Sequence, residues 1–358
     1  MSEILNALKA YRLYSKVDTI ERIGGGNVNV TYKILLGDGE KFILQKVNEK
    51  VFPDPEALME NAEKVCERMR REKNAKSLDK LRPLNIKFTA TGRSFVRSET
   101  GFYRAYEFVP GSITRPTALS PEIAFRSGEA FGTFGAMMNA PERLRLKTVI
   151  SGFHDPCARL KALERVFKAR ERGGKEVEEI AGYLLSKVEF CEKYGAFLKK
   201  LPVRTVHNDA KIANVAFDKK TGEALSVLDI DTAMDGYFAF DYGDGIRSAG
   251  FIGSEDERDL TAVALSFDNF RAFTDGYLSG VSDDLTEDER ESFIFAPFAV
   301  TAELAARFLA DYLSGDKYFR TDYGEQNFYR ARCQAALAKD IERRLSDIRK
   351  SVKSHVKL

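Results

Sequence analysis

The chain has no tryptophan, and only three histidines, four cysteines and ten prolines among its 358 residues. His154 and His355 have no partner at metal-ligand spacing, so an imidazole zinc site is not expected. Cys66, Cys157, Cys191 and Cys333 form no CxxC and no Cys/His cluster, which leaves reduced structural thiols rather than a zinc ribbon or a disulfide framework. Charge of one sign is not in excess. Lys plus Arg total 56 against 54 for Asp plus Glu, a net charge of +2, and such a balance gives no reason to expect nucleic acid or an anionic membrane as the main partner. No apolar run approaches the roughly 20 residues of a membrane span, and MSEILNALKAYRLYSK carries charges throughout instead of a signal-peptide core. A cytoplasmic protein with a small-molecule ligand is the expectation. The GxxxxGK[ST] pattern is missing as well: neither GGGNVN at 24–29 nor Gly173-Gly174-Lys175 supplies it, which excludes a Walker-type site.

Hydrophobic residues make up 44% and charged residues 31%, the balance of a globular protein long enough for two domains or one large domain with an extra lobe. Two patterns divide the chain. Residues 17–109 read as strands and hairpins. β-formers alternate on both sides of Asp38-Gly39, a two-residue signal for a type I′ turn. Asp54-Pro55 then offers an N-cap and first-turn proline for a helix with Leu58, Ala62, Val65 and Met69 on one face. RSFVRS and GFYRAYEFV predict two further strands, and Pro110-Gly111 ends the region as a candidate hinge. Beyond residue 112 the period is mainly helical. Ser120-Pro121 opens a helix, two more are expected over 157–200, and others over 255–280, 286–313 and 325–352. The 286–313 segment starts at a Thr286/Glu289 capping box. A strand-rich island, 205–240, interrupts the helices. The reading is an α+β fold with a β-rich lobe, 1–109, and a larger, mainly helical lobe, 110–358.

The chemistry lies in that island. In TVHNDAKIANVAFD, His207, Asp209, Lys211 and Asn214 fit HxDxKxxN, and Asp229 follows fifteen residues after Asn214 within LDIDTAMDG. VAFD, a TGE turn and ALSVLDID form a predicted hairpin that brings Asn214 and Asp229 to the same end. An aspartate that accepts a hydroxyl proton, with an Asn and a second Asp as oxygen ligands for Mg²⁺, is the residue set of phosphoryl transfer. Asp231 lies two residues on; an extended backbone would turn both carboxylates to one side, making Asp231 either a second metal contact or a structural acceptor. His207 is expected to scaffold the loop. Asp241 and Asp244 in FDYGDGIRS are expected to stabilise loops, Asp241 by bracing the catalytic one.

Six separated stretches, GGGNVNVTYK, FILQKVNEKVFPDPEALMEN, HNDAKIANV, LDIDTAMDG, DYGDGIRS and RFLADYLSGDKYF, together with the length, resemble the aminoglycoside phosphotransferase and choline kinase superfamily. Within it the likeness is closest to bacterial N-acetylhexosamine 1-kinases. The resemblance implies a protein-kinase-like two-lobed fold, ATP and Mg²⁺ as cofactors, and a sugar as acceptor. It implies Asp209 as catalytic base, Lys211 beside the transferring phosphate, and Asn214 and Asp229 as Mg²⁺ ligands. Arg307 and Tyr318 would line the sugar pocket. Gly24, Gly25 and Gly26 would cover the nucleotide, Asn27 would lie near the sugar where relatives often carry His, and adenine would lie against Glu107, Phe108 and Val109. Many kinases have a lysine where this chain has Gln45, so either Gln45 contacts phosphate or the register moves to Lys46; the helix partner is Glu60 or Glu63. Two rivals are an aminoglycoside or choline-like amine as acceptor, and a non-catalytic binding module of the same fold. The sequence says nothing about oligomeric state.

Overall fold

The computed structural model describes residues 2–24, 28–76, 81–281 and 285–354. Its first part is built on helix α1, Ser2–Ala10, and an antiparallel sheet of β1, Val17–Ile23, β2, Val30–Leu36, and β3, Lys41–Lys46, followed by helix α2, Pro55–Lys76, and strands β4, Phe95–Ser98, and β5, Gly101–Glu107. The sheet order is β1-β2-β3-β5-β4. Alternation along β5 decides what lies on each face: Tyr103 and Ala105 pack with Leu8 and Tyr11 in a core under α1, while Phe102 and Tyr106 pack with Leu58 and Val65 of α2. Arg104 shares the second face and is 1% exposed.

The predicted hairpin forms, with a different turn. Leu36 N–H donates to Glu40 O and Gly39 N–H to Leu36 O, each at 2.9 Å. Only Gly39, at φ 88°, has the positive φ that a type I′ turn needs at two positions, so this is a three-residue loop with glycine in the left-handed place. α2 starts as predicted, with Asp54 Oδ1 accepting from Ala57 N–H at 2.9 Å, and Leu58, Ala62, Val65 and Met69 are buried.

A short strand β6, Ser112–Ile113, leads into helices α3, Pro121–Asn139, α4, Pro156–Lys168, α5, Lys175–Leu185, and α6, Val188–Leu198. Three helices therefore occupy the stretch where two were expected. The island holds β7, Arg204–Val206, β8, Val215–Asp218, β9, Ala224–Val227, and β10, Met234–Gly236. Then come α7, Phe238–Ala249, α8, Phe267–Gly280, α9, Glu287–Ser292, α10, Ala296–Leu313, α11, Gln326–Arg343, and α12, Leu345–Ser354. The Thr286/Glu289 capping box is formed. Asp241 and Asp244, expected to stabilise loops, lie on α7.

α3 and α8 cross almost backbone to backbone. A Cβ on Gly132 would lie 2.2 Å from Tyr277 O, and one on Gly276 2.1 Å from Phe125 O, so only glycine permits the approach. This contact places α3 behind the catalytic loop: Asn139 Nδ2 donates to Thr205 O at 2.8 Å, and its Oδ1 accepts from Thr205 N–H at 2.9 Å. The fold is α+β, a β-sheet part followed by a helical part, with the site between them.

Candidate active site

β7 pairs with β10 and delivers the chain into His207, Asn208 and Asp209. Both carboxylate oxygens of Asp241 accept from this loop, from His207 N–H at 2.8 Å and Asn208 N–H at 2.7 Å, so Asp241 braces it. His207 is fully buried. Its Nδ1 accepts from Asp209 N–H at 3.3 Å, which leaves Nε2–H to donate to Leu228 O at 2.9 Å. Phe131 and Phe134 of α3 meet the ring edge-on at 5.3 and 5.5 Å. Both ring nitrogens are occupied, and the histidine is scaffold.

Asp209 Oδ2 accepts from Lys211 Nζ and from Asn214 Nδ2, each at 2.8 Å. Burial alone would raise this carboxyl, but the Lys211 ammonium and these hydrogen bonds outweigh it and hold it at about 2. Asn214 also donates Nδ2 to Asp209 O at 2.9 Å, which leaves its Oδ1 as the acceptor. β8 and β9 pair with Val215 opposite Val227, and Leu228 N–H donates to Asn214 O at 2.7 Å; the hairpin brings Asn214 and Asp229 together.

The backbone at Asp229 is left-handed, φ 53° and ψ 54°, and Ile230–Thr232 forms a 3₁₀ turn. The extended geometry expected across Asp229 and Asp231 is thus overturned. Asp231 faces Arg104, with Nη1 to Oδ1 and Nη2 to Oδ2 both 2.6 Å, and accepts from Asn29 Nδ2 at 2.7 Å. Of its two predicted alternatives, these contacts give it the structural one. Asp229 opens onto the cavity floor and has no hydrogen bond or ion pair among the described residues. Protein packed around it and then the charge of Asp231 push it up to about 6.

No cluster of three or more His, Cys, Asp or Glu that could hold a metal exists among the described residues. The donors here are instead an unpartnered carboxylate and an amide oxygen. That is a poor cage on its own and a suitable one-sided site for a hard cation whose remaining ligands are phosphate oxygens and water, so the residues fit Mg²⁺ brought with a nucleotide.

A cavity of about 600 Å³ runs over these groups, lined also by Gly24, Ile43, Gln45, Glu107, Val109 and Arg307. Gly25, Gly26 and Asn27 lie outside the described residues. Gln45 faces the cavity. Lys46 does not: it points to the α1 side, 3.4 Å from Glu3 and over the Tyr103 ring, so the register shift that would bring it to phosphate is excluded. Glu60 pairs with Lys64 and Lys147 on the surface, and Glu63 is exposed; neither takes the place of a helix partner. The cation beside Gln45 is Arg104, whose Nε and Nη2 donate to Gln45 Oε1 at 3.0 and 2.8 Å. Sequence reasoning passed over Arg104, although its inward place between Phe102 and Tyr106 on an alternating strand marks it.

At the far end of the cavity, the Arg307 guanidinium lies 5.2, 5.6 and 5.3 Å from the rings of Phe153, Tyr318 and Phe319. Asp311 fixes the segment that carries Tyr318 by accepting from the N–H groups of Lys317, Tyr318 and Phe319, each at 2.9 Å. His154, without a partner at metal-ligand spacing in the sequence, bridges Glu303 Oε2 at 3.2 Å and Asn208 O at 2.7 Å. Glu303 stands one helical turn before Arg307, a spacing that sequence could have offered; nothing near His154 offered one.

The model of the "Phosphotransferase enzyme family" matches residues 19–274. The chain belongs to this family. Its fold recurs in an aminoglycoside phosphotransferase from Alicyclobacillus acidocaldarius, 13% identical, with 98% of this chain and 96% of that one covered and a TM-score of 0.60. It recurs in choline kinase from Cryptosporidium parvum, 11% identical over 97% of this chain and 96% of that one, TM-score 0.55. A spectinomycin phosphotransferase in complex with ADP and spectinomycin is 10% identical over 93% and 97%, TM-score 0.56. Its fold is the one these phosphotransferases and this kinase share. No helix among the described residues is long and apolar enough to cross a membrane.

Proposed function

We propose that this phosphotransferase is an ATP-dependent sugar kinase acting on the anomeric hydroxyl of an N-acetylhexosamine, N-acetylglucosamine or N-acetylgalactosamine, to give the 1-phosphate and ADP. The observation that carries the acceptor half is Arg307. Its guanidinium has three aromatic neighbours and no carboxylate or hydrogen-bond partner among the described residues. The acids nearby are answered, Glu303 by His154 and Asp244 by Arg247. A free guanidinium beside rings repels an ammonium and suits the carbonyl and hydroxyl oxygens of a neutral acetamido sugar.

In this reading residues 1–109 form the nucleotide lobe and 110–358 the acceptor lobe. Adenine lies against Glu107, Phe108 and Val109, between apolar walls that include Ile43 and Leu84, and the glycine segment from Gly24 covers the phosphates. The ADP bound by the spectinomycin phosphotransferase of the same fold supports this use of the cavity. Mg²⁺, held by Asn214 and Asp229, would neutralise phosphate charge. Asp209 orients the 1-hydroxyl and takes its proton. A carboxylate held at about 2 is a weak base, so its main work is alignment, with the proton transferred late, as a loose phosphoryl-transfer transition state allows. Lys211 moves from Asp209 toward the transferring phosphate as that charge arrives.

One observation favours an amine acceptor instead: Glu303 is 1% exposed, and among the described residues its Oε1 has no hydrogen-bond partner, only Arg159 Nε at 4.0 Å. An ADP-release screen with N-acetylglucosamine, N-acetylgalactosamine, neutral hexoses, choline and kanamycin separates the readings. Turnover of the acetamido sugars alone is expected; turnover of choline or kanamycin in their place would replace the sugar reading, and the absence of ADP release with every one of them would favour a binding module.

A further inference from the structure

Two stretches far from Asp231 in sequence, those of Arg104 and Asn29, reach its carboxylate. Arg104 arrives from β5 with two guanidinium nitrogens 2.6 Å from its two oxygens. Asn29, just beyond the glycine segment, donates to Oδ2 at 2.7 Å, and its own Oδ1 accepts from Asn48 N–H at 3.0 Å. Gln45 on β3 accepts from Arg104 and donates to Thr31 Oγ1 at 3.2 Å. The pair is almost fully enclosed, Arg104 1% and Asp231 4% exposed. The guanidinium of Arg104 lies beside Gln45, which carries no charge of its own.

The pair also sits against a strained element. Asp229 holds φ 53° and ψ 54°, a left-handed conformation that is strained for a residue other than glycine and persists only where the surroundings over-determine it. The turn that fixes it, Ile230–Thr232, contains Asp231, and Asp231 is what Arg104 grips. We propose that Arg104 is the positioning residue of the nucleotide and metal end of the site: through Asp231 it holds the turn that aims Asp229 into the cavity, and through the same acceptor it joins the exit of the glycine segment to that turn. The inference rests on the kinase reading above, and it concerns nucleotide and cation whatever the acceptor is.

A buried ion pair is also structural, and the test must tell the two roles apart. Removing one partner leaves a bare buried charge, whereas replacing both by apolar groups of similar volume is often neutral for stability. The informative variant is therefore R104M/D231L, with R104K keeping the charge and losing the two-pronged geometry. Affinity for ADP is measured by calorimetry with and without MgCl₂ and without any acceptor, beside the thermal midpoint and the KM for ATP. Expected for R104M/D231L is a midpoint near wild type and a loss of about tenfold to a hundredfold in Mg²⁺-dependent ADP affinity, the range for outer-shell partners of metal ligands, with ADP affinity in EDTA little changed. R104K is expected to lie between the two proteins. Wild-type Mg²⁺-dependent ADP affinity in the double variant, or in R104K should the double variant not fold, overturns the positioning role and leaves the kinase reading intact. A wild-type protein that binds no ADP with Mg²⁺ overturns both.

Discussion

Asp209 and Asp229 are the same chemical group in one cavity, and their neighbours drive them in opposite directions: Lys211 holds Asp209 at about 2, while packing and Asp231 push Asp229 up to about 6. Such a separation assigns roles. Because its folded value is depressed, Asp209 contributes stability that is complete above its ordinary value of about 3.9 and is lost only as pH falls through about 2. It is therefore ionised throughout any ordinary assay, and an acid limb in the activity profile does not report it. Asp209→Asn keeps the shape and removes the charge, so turnover is expected to fall about 10²–10⁴-fold while ADP affinity, read by calorimetry, stays roughly unchanged; retained turnover would take Asp209 out of the reaction. His154 is a second residue-scale case. Burial alone would lower its pKa, but the Glu303 carboxylate and the Asn208 carbonyl raise it. A raised histidine contributes stability that is complete below its ordinary value of about 6.5 and is lost as pH rises through the folded value. The gap between wild type and His154→Gln in urea midpoint should thus be widest near pH 6 and narrow toward pH 9. A gap that does not change with pH would mean that folding leaves the His154 pKa unshifted, and would remove this contribution.

At the scale of elements, what was legible was local. The β8–β9 hairpin could be read because alternation and a Thr-Gly-Glu turn lie within fifteen residues, and its closure carries Asn214 to Asp229. The helix starts at Asp54 and Thr286 carry their capping side chains beside them. What was missed depends on distant partners or on the absence of punctuation. Arg104 finds Asp231 127 residues away, and only the sheet register shows that it lies opposite Gln45. The break between α5 and α6 falls at Ser186-Lys187, where neither glycine nor proline announces it. The left-handed Asp229 broke an extended pattern that the flanking residues had suggested. The α3–α8 crossing offers a test of an element's role: with a Cβ 2.1 Å from Phe125 O, Gly276→Ala must push the helices apart. A loss of at least about 1–3 kcal/mol is expected, the cost of overpacking a tight core, measured as a shift in denaturant midpoint at constant slope. Full stability in this variant would show that the crossing is slack and that α3 does not depend on it to support His207.

Across the whole molecule, the sheet part and the helical part are joined by more than the chain between them. Arg104 and Asn29 reach Asp231, Arg82 N–H donates to Leu225 O at 2.8 Å, and Ser226 Oγ donates back to Arg82 O at 2.8 Å. Asn61 on α2 donates to Lys147 O at 2.8 Å and accepts from its N–H at 2.9 Å, while Arg68 donates to Ala140 O and Glu142 O at 3.1 and 2.8 Å. Ties at several separate places couple the opening of one part to the loss of contacts in the other, and the cavity between them takes its walls from both. A ligand of that cavity should then stabilise both parts together. At a concentration one hundred times its dissociation constant, ADP with Mg²⁺ adds about 2.7 kcal/mol by mass action, so calorimetry should show a single unfolding transition that moves upward as a whole. Two transitions, with only the first displaced by nucleotide, would show that the sheet part melts independently and that these ties are too weak to unite the parts.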